Sequence, residues 1–167
     1  MALVRVILFF IAVPALLADF PVLHITFAER AVAFTAGQLT ELPRSEITTT
    51  EPHSGKRHSY SGVAVRELLL RAGAPLGEKL RGGALQLAVL VRCRDGYAVA
   101  FALAEFDDSF NDRAILLADA EDGVPLKGNA GPFRLVIPGD KRGARWARSV
   151  VSVEVVPVPA SPGSRSK

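Results

Sequence analysis

Apolar and polar positions alternate along most of the chain after residue 18, which is typical of β-strands. In residues 22–27 the alternation places Leu23, Ile25 and Phe27 on one face. The same reasoning, together with β-branched and short apolar runs, predicts further strands at residues 32–34, 46–50, 85–91, 97–101, 114–118, 133–137 and 149–156. Because these strands do not alternate regularly with helices, we predict an α+β fold with several mixed or antiparallel sheets.

Two short helices are predicted, at residues 36–42 and 63–72. Thr35 and Gln38 have the spacing of a capping box, which starts a helix by satisfying its first backbone N–H groups. Gly73 is a good residue for ending the second helix, because glycine adopts the left-handed conformation without steric cost. The predicted apolar face of this helix consists of Val63, Leu68, Leu69 and Leu70.

The polar segments between these elements are predicted to be loops, and two of them contain candidate metal ligands. In residues 52–59, His53 and His58 lie near Glu51, a combination that could bind a metal through two imidazoles and a carboxylate. A solvated loop is the simpler interpretation, so we predict no metal site. The acidic segment 107–112 lacks the spacing of a calcium loop and is also predicted to be solvated.

The N-terminal residues have the pattern of an export signal. Arg5 precedes an apolar run at residues 6–17, and small residues follow it. The run is shorter than the roughly 20 residues that a helix needs to cross a bilayer, so we predict a signal peptide over residues 1–18. There is no twin-Arg pair, which favours export of an unfolded chain. We therefore expect a periplasmic or secreted domain over residues 19–157, a loose tail over 158–167, and no membrane span after signal removal.

Charge and composition narrow the range of ligands. The formal net charge is +3, the arginines are dispersed, and only 7% of residues are aromatic. Nucleic-acid binders usually concentrate basic residues and stacking aromatics on one surface, so we expect no nucleic-acid partner and favour a small anionic ligand. Cys93 is the only cysteine, which excludes an intramolecular disulfide and a thiolate metal cage within one chain.

Four segments, in this order, resemble the molybdopterin-binding domain of sulfite-oxidase-like oxidoreductases. They are YSGVAVRELL at 60–69 with Ala72 and Gly73, DGY at 95–97, AILLA at 114–118 with DGVPL at 122–126, and GPFRLVIPG at 131–139 with Arg145 and Trp146. The resemblance covers residues 34–156. It implies several mixed sheets around a cofactor cleft.

The resemblance also implies a cysteine thiolate that binds molybdenum at a strand end upstream of residues 60–62. Thr50 stands at that position in this chain. A threonine hydroxyl stays protonated at neutral pH and is a poor ligand for a site that selects soft donors. Cys93 lies one hairpin away from that position, and we expect it to be a partly buried strand cysteine rather than a substitute.

Arg134 and Arg145 match basic positions with which the family grips the phosphate of the pterin, and Arg142 in the loop 140–143 could add to that grip. Guanidinium groups suit phosphate oxygens because they donate paired hydrogen bonds. Where the family often has a histidine, this chain has Asn129 and Ala130. The alternative is that these arginines are structural and pair with a carboxylate or stack on Trp146.

These observations predict an exported, non-catalytic molybdopterin-binding-domain-like protein. It would be a binding or accessory module for a pterin phosphate or another small anion, with a periplasmic protein as a further candidate partner. Arg134, Arg145, Arg142 and Thr50 are the predicted cofactor-binding positions, and no catalytic residue is assigned. Two alternatives stay open: an active molybdenum-cofactor oxidoreductase of the sulfite oxidase or methionine-sulfoxide reductase type, and a protein–protein interaction module that reuses the fold.

Overall fold

The computed structural model describes residues 22–159. In chain order its strands are β1 Val22–Phe27, β2 Arg30–Thr35, β3 Arg44–Thr50, β4 Arg57–Ala64, β5 Leu87–Cys93, β6 Ala98–Ala102, β7 Leu116–Glu121, β8 Val124–Pro125, β9 Arg134–Val136 and β10 Val150–Pro157. The helices are α1 Ala36–Thr40 and α2 Val65–Arg71, and short 3₁₀ turns lie at Gly77–Lys79, Gly82–Gln86, Leu103–Phe106 and Gly143–Arg145. The predicted signal peptide and most of the predicted tail lie outside the described residues.

The strands form two five-stranded sheets. The first has the order β2-β1-β10-β5-β6, and its only parallel pair among the described strands is β1 with β10. The second has the order β3-β4-β7-β8, with β9 also paired to β7. The predicted α+β class with mixed and antiparallel sheets is therefore confirmed.

Alternation along the strands decides which side chains enter the core. Leu23 and Ile25 of β1 are fully buried, as are Val89 and Val91 of β5, whereas the intervening His24 is exposed. Successive side chains on a strand point to opposite faces, so each sheet contributes one apolar face. These faces and the buried side of α2 form one continuous core.

Helix α1 confirms the predicted capping box. The Thr35 hydroxyl accepts a hydrogen bond from the Gln38 backbone N–H at 3.2 Å, and the Gln38 side chain accepts one from the Thr35 N–H at 2.9 Å. The helix ends at Thr40, two residues before the predicted end, because Glu41 already caps its last carbonyl groups.

The largest error of the sequence prediction concerns β4. Residues 52–59 were expected to be a loop and residue 63 to lie in a helix, but Arg57–Ala64 is a strand between β3 and β7. The pairing requires Gly62, since a Cβ atom there would lie 2.1 Å from the carbonyl oxygen of Leu117. Strand pairing with distant residues thus overrides the local polar pattern.

Helix α2 begins at Val65, so its buried face differs from the predicted one. The buried positions are Val65, Leu68, Leu69 and Ala72, whereas Leu70 is exposed. This spacing of three, one and three residues covers one side of a helix. Gly73 follows the helix with φ of +85°, as predicted for a residue that ends it.

No helix within residues 22–159 is both long enough and apolar enough to cross a membrane.

Candidate anion-binding cleft

An open cleft of about 670 Å³ lies where three chain segments meet. These segments are the turn between β3 and β4, the turn between β5 and β6, and the chain that leads from the last 3₁₀ turn into β10. The lining residues are Glu51, Pro52, His53, Cys93, Asp95, Tyr97, Arg142, Gly143, Ala144, Trp146, Ala147 and Arg148.

A buried ion pair supports one wall of the cleft. Arg134 Nη2 donates to Glu51 Oε1 at 3.0 Å, and Arg134 Nη1 lies 3.5 Å from Glu121 Oε2. The guanidinium carbon also lies 5.5 Å from the ring centroid of Tyr60 and 5.3 Å from that of Trp146. Such contacts stabilise a desolvated cation. The side chain of Arg134 is therefore buried and paired within the protein. This is the structural role that the sequence analysis gave as the alternative to phosphate binding.

Glu51 forms hydrogen bonds both with Arg134 and with the backbone of the β3–β4 turn. Its Oε2 atom accepts hydrogen bonds from the backbone N–H groups of Ser54 at 2.6 Å and His53 at 3.1 Å. Burial by itself would raise the pKa of Glu51, but the bonds from Ser54 and the charge of Arg134 outweigh burial and lower it. Glu51 is consequently a fixed anion at neutral pH.

Arg145 is also neutralised by carboxylates of this chain. Its Nε and Nη2 atoms donate to the two oxygens of Asp140 at 2.9 and 2.8 Å, and Nη1 donates to Glu105 at 2.9 Å. The hydrogen bonds that Arg145 donates to Asp140 are the main reason that the pKa of Arg145 is raised. The guanidinium packs over the ring of Phe101 rather than into the cleft.

Two other arginines remain available at the cleft. Arg142 is exposed and makes no ion pair with any described residue. Arg148 is exposed too, and its nearest carboxylate oxygen, Glu51 Oε1, is 3.9 Å away and already binds Arg134. Asp95 places a negative charge in the same cleft, and its Oδ1 atom accepts a hydrogen bond from the backbone N–H of Tyr97. Sequence reasoning missed Arg148, since nothing in its local sequence distinguishes it from the other dispersed arginines.

Thr50 ends β3 and does not line this cleft. It lies in a neighbouring groove of about 380 Å³ with Thr49, Pro52, Gly139, Asp140 and Lys141. Of the four predicted cofactor-binding positions, only Arg142 reaches the main cleft. Thr50 lies in the neighbouring groove instead, and the guanidinium groups of Arg134 and Arg145 are held in ion pairs with Glu51 and Asp140.

Cys93 is a wall residue of the cleft at the end of β5. The residue is only 5% exposed, so it is a strand cysteine as expected, but it is more fully buried than the sequence analysis expected. Burial, followed by the charge of Asp95, raises the pKa of its thiol, although the backbone N–H of Arg148 acts in the opposite direction. The thiol is therefore protonated at neutral pH and a weak nucleophile and metal ligand.

The three residues weighed as a metal site in the β3–β4 region do not converge. Glu51 faces Arg134, and His53 lines the cleft through an exposed position. The ring of His58 instead contacts Glu121 and Asp122 at the far end of β7. This combination, which the sequence analysis set aside in favour of a solvated loop, is not brought together in the structure, because β4 carries His58 away from the turn.

Residues 13–163 match the family model described as the oxidoreductase molybdopterin binding domain. The chain belongs to this family. No curated protein sequence matches it significantly.

Among solved structures, the fold is similar to that of the sulfane dehydrogenase SoxCD from Paracoccus pantotrophus, with a TM-score of 0.60 and 22% sequence identity. The match covers 80% of this chain and 37% of that chain, so this protein spans well under half of its structural neighbour. At this identity the similarity concerns the fold, which is that of the sulfite-oxidase-like domain expected from the four motifs.

The donor groups of this chain do not fit the molybdenum centre that the family implies. A molybdenum-binding thiolate is expected at the end of β3, where Thr50 offers a protonated hydroxyl. The only thiol, Cys93, is buried and its pKa is raised. The arginines at the two motif positions are already paired with Glu51 and Asp140. The cleft retains Arg142 and Arg148 beside the carboxylates of Glu51 and Asp95, but it lacks the soft ligand.

Proposed function

We propose that this protein is a non-catalytic member of its family that binds a small, multiply charged anion in the cleft. The observation that carries the proposal is the division of the cleft arginines. Arg134 and Arg145 are neutralised internally, whereas Arg142 and Arg148 line the cleft. Among the described residues Arg142 has no ion-pair partner, and Arg148 has only Glu51 at 3.9 Å, which Arg134 already binds. An anion that bridges Arg142 and Arg148 would satisfy both guanidinium groups.

The size and chemistry of the cleft favour a phosphate or phosphomonoester. A volume of about 670 Å³ is within the range of small-molecule sites. Guanidinium groups bind phosphate through short, charge-assisted pairs of hydrogen bonds. The pterin phosphate remains one candidate of this class. In this proposal Arg134 and Arg145 position the cleft walls, and Arg142 and Arg148 make the contacts.

The matching experiment is calorimetric titration of the protein with inorganic phosphate and pyrophosphate at low ionic strength. Arg142→Gln and Arg148→Gln should each weaken binding at least ~10-fold, since a lost charge-assisted bond is worth roughly 1.5–3 kcal/mol. Arg81→Gln removes another exposed arginine, outside the cleft, and should leave the affinity for phosphate unchanged. Absence of phosphate binding, or equal losses in all three variants, would refute the proposal and favour a protein-interaction module.

We also propose that the protein is exported by the general route. Arg5 and the apolar run at residues 6–17 support this proposal. Expression of the full chain in a Gram-negative host, followed by fractionation and N-terminal sequencing, should yield a periplasmic protein cleaved between residues 15 and 19. An uncleaved protein in the cytoplasm would contradict export.

A further inference from the structure

Three side chains that could bind a metal, one imidazole and two carboxylates, converge at the far end of the second sheet. The His58 Nδ1 atom lies 2.7 Å from Asp122 Oδ2 and 3.2 Å from Glu121 Oε1. One ligand atom from each of the three residues lies within 4.8 Å of the other two. His58 comes from β4, Glu121 from the end of β7 and Asp122 from the β7–β8 turn, so strand pairing rather than sequence proximity brings His58 to the other two.

Each carboxylate is oriented by groups outside the cluster. The Ser59 backbone N–H donates to Asp122 Oδ1 at 2.8 Å, which leaves Oδ2 directed at His58. The Tyr60 hydroxyl donates to Glu121 Oε1 at 3.3 Å, and the buried Arg134 lies against Glu121 Oε2. Partners of this kind fix ligand geometry at metal sites and usually matter for affinity.

The local charge balance favours a cation. Glu121 and Asp122 bring two carboxylates to the cluster, and the arginine that lies beside Glu121, Arg134, is held more closely by Glu51. His58 and Glu121 are half-buried, whereas Asp122 is exposed, so the cluster opens to solvent on one side. An ion could therefore enter without displacing the core.

We propose that His58, Glu121 and Asp122 form a binding site for one Zn²⁺ ion. An imidazole nitrogen with two carboxylate oxygens is an established ligand set for zinc, and three protein ligands leave a position for water. Without metal, Nδ1 and Asp122 Oδ2 share one proton in a hydrogen bond. A zinc ion would bind the lone pair of Nδ1. A neutral ring then carries its single proton on Nε2, whereas a ring that was protonated at both nitrogens releases its Nδ1 proton to solvent. This site is separate from the cleft and does not depend on its ligand.

The test is calorimetric titration of the tag-free protein with zinc chloride. Wild type should bind one Zn²⁺ per chain, and His58→Gln and Asp122→Asn should each weaken binding at least ~10-fold. Asparagine at residue 122 suits the left-handed backbone, where φ is +50°, and it retains an oxygen for the Ser59 N–H. The folding of both variants is checked by thermal unfolding. His24→Gln, which removes an exposed histidine of β1, should leave zinc binding unchanged.

A second measurement is independent of variant folding. Long-range ¹H–¹⁵N spectra of the wild-type histidine rings should show a zinc-dependent shift at Nδ1 of His58 and none at His24. Absence of saturable zinc binding would overturn the proposal. So would equal affinity in all variants, or a zinc-dependent shift confined to another histidine, because the three residues would then form only a histidine–carboxylate ion pair.

Discussion

The buried pair between Glu51 and Arg134 provides the sharpest stability prediction. The side chains of Arg134 and Glu51 are only 4% and 7% exposed, and their closest atoms are 3.0 Å apart. Replacing Glu51 by Gln leaves a buried guanidinium with only Glu121 at 3.5 Å as a charged partner. Loss of one partner of a buried pair costs roughly 3–5 kcal/mol. Because Glu121 compensates in part, we expect about 3 kcal/mol for Glu51→Gln.

Arg134→Met removes the cation and nearly preserves the volume. Glu51 keeps its hydrogen bonds from Ser54 and His53, but its charge remains buried, so a loss of about 3 kcal/mol is again expected. The double variant removes both buried charges. Its loss should therefore fall short of the sum of the single losses by roughly 1–3 kcal/mol.

Urea unfolding at neutral pH, with a constant m value, measures these free energies. The control is Arg44→Gln, which breaks a bidentate ion pair with Asp119 that is partly exposed. This variant should lose no more than about 1 kcal/mol. If Glu51→Gln costs no more than the control, or if the two single losses add fully in the double variant, the buried pair is not the support of the cleft wall that the structure indicates.

Three further outcomes follow from the structure. The pKa of Glu51 is lower in the folded protein than in the unfolded chain, where it is about 4.3, so ionised Glu51 stabilises the fold above this pH. The free energy of unfolding should therefore fall as the pH drops below this value, and it should fall less steeply in Glu51→Gln. Cys93 should react with a thiol reagent much more slowly in the native protein than in urea, because the thiol is buried and its pKa is raised; equal rates would contradict this. Gly62→Ala should cost at least ~3 kcal/mol or prevent folding, since its Cβ atom would overlap the Leu117 carbonyl group; a neutral effect in urea unfolding would show that β4 and β7 are spaced differently.

Much of the fold could be predicted from the sequence, because the alternation of strands and the capping of helices are local signals. The β1 alternation and the Thr35–Gln38 capping box were read correctly for this reason. The strand β4 was missed because its first residues are polar and its pairing with β3 and β7 depends on residues far away in the chain. Asp107 shows the same limit, since this residue of a predicted solvated loop is buried and accepts the Gly77 N–H.

The site was harder to predict from the sequence than the fold, because local sequence patterns do not show which side chains will pair. The motifs identified Arg134 and Arg145, but the sequence could not show that Glu51 and Asp140 would neutralise them. The grouping of His58 with Asp122 depends on the register of β4 against β7 and was invisible for that reason.

We propose that this member of the family holds no molybdenum. The most direct test is elemental and mass-spectrometric analysis of the protein, purified from a host that makes molybdopterin, beside a molybdenum-containing family member prepared from the same host. We predict a folded protein with no molybdenum, because Thr50 cannot supply a thiolate and the Cys93 thiol is buried and protonated. Stoichiometric molybdenum with a released pterin would contradict the account.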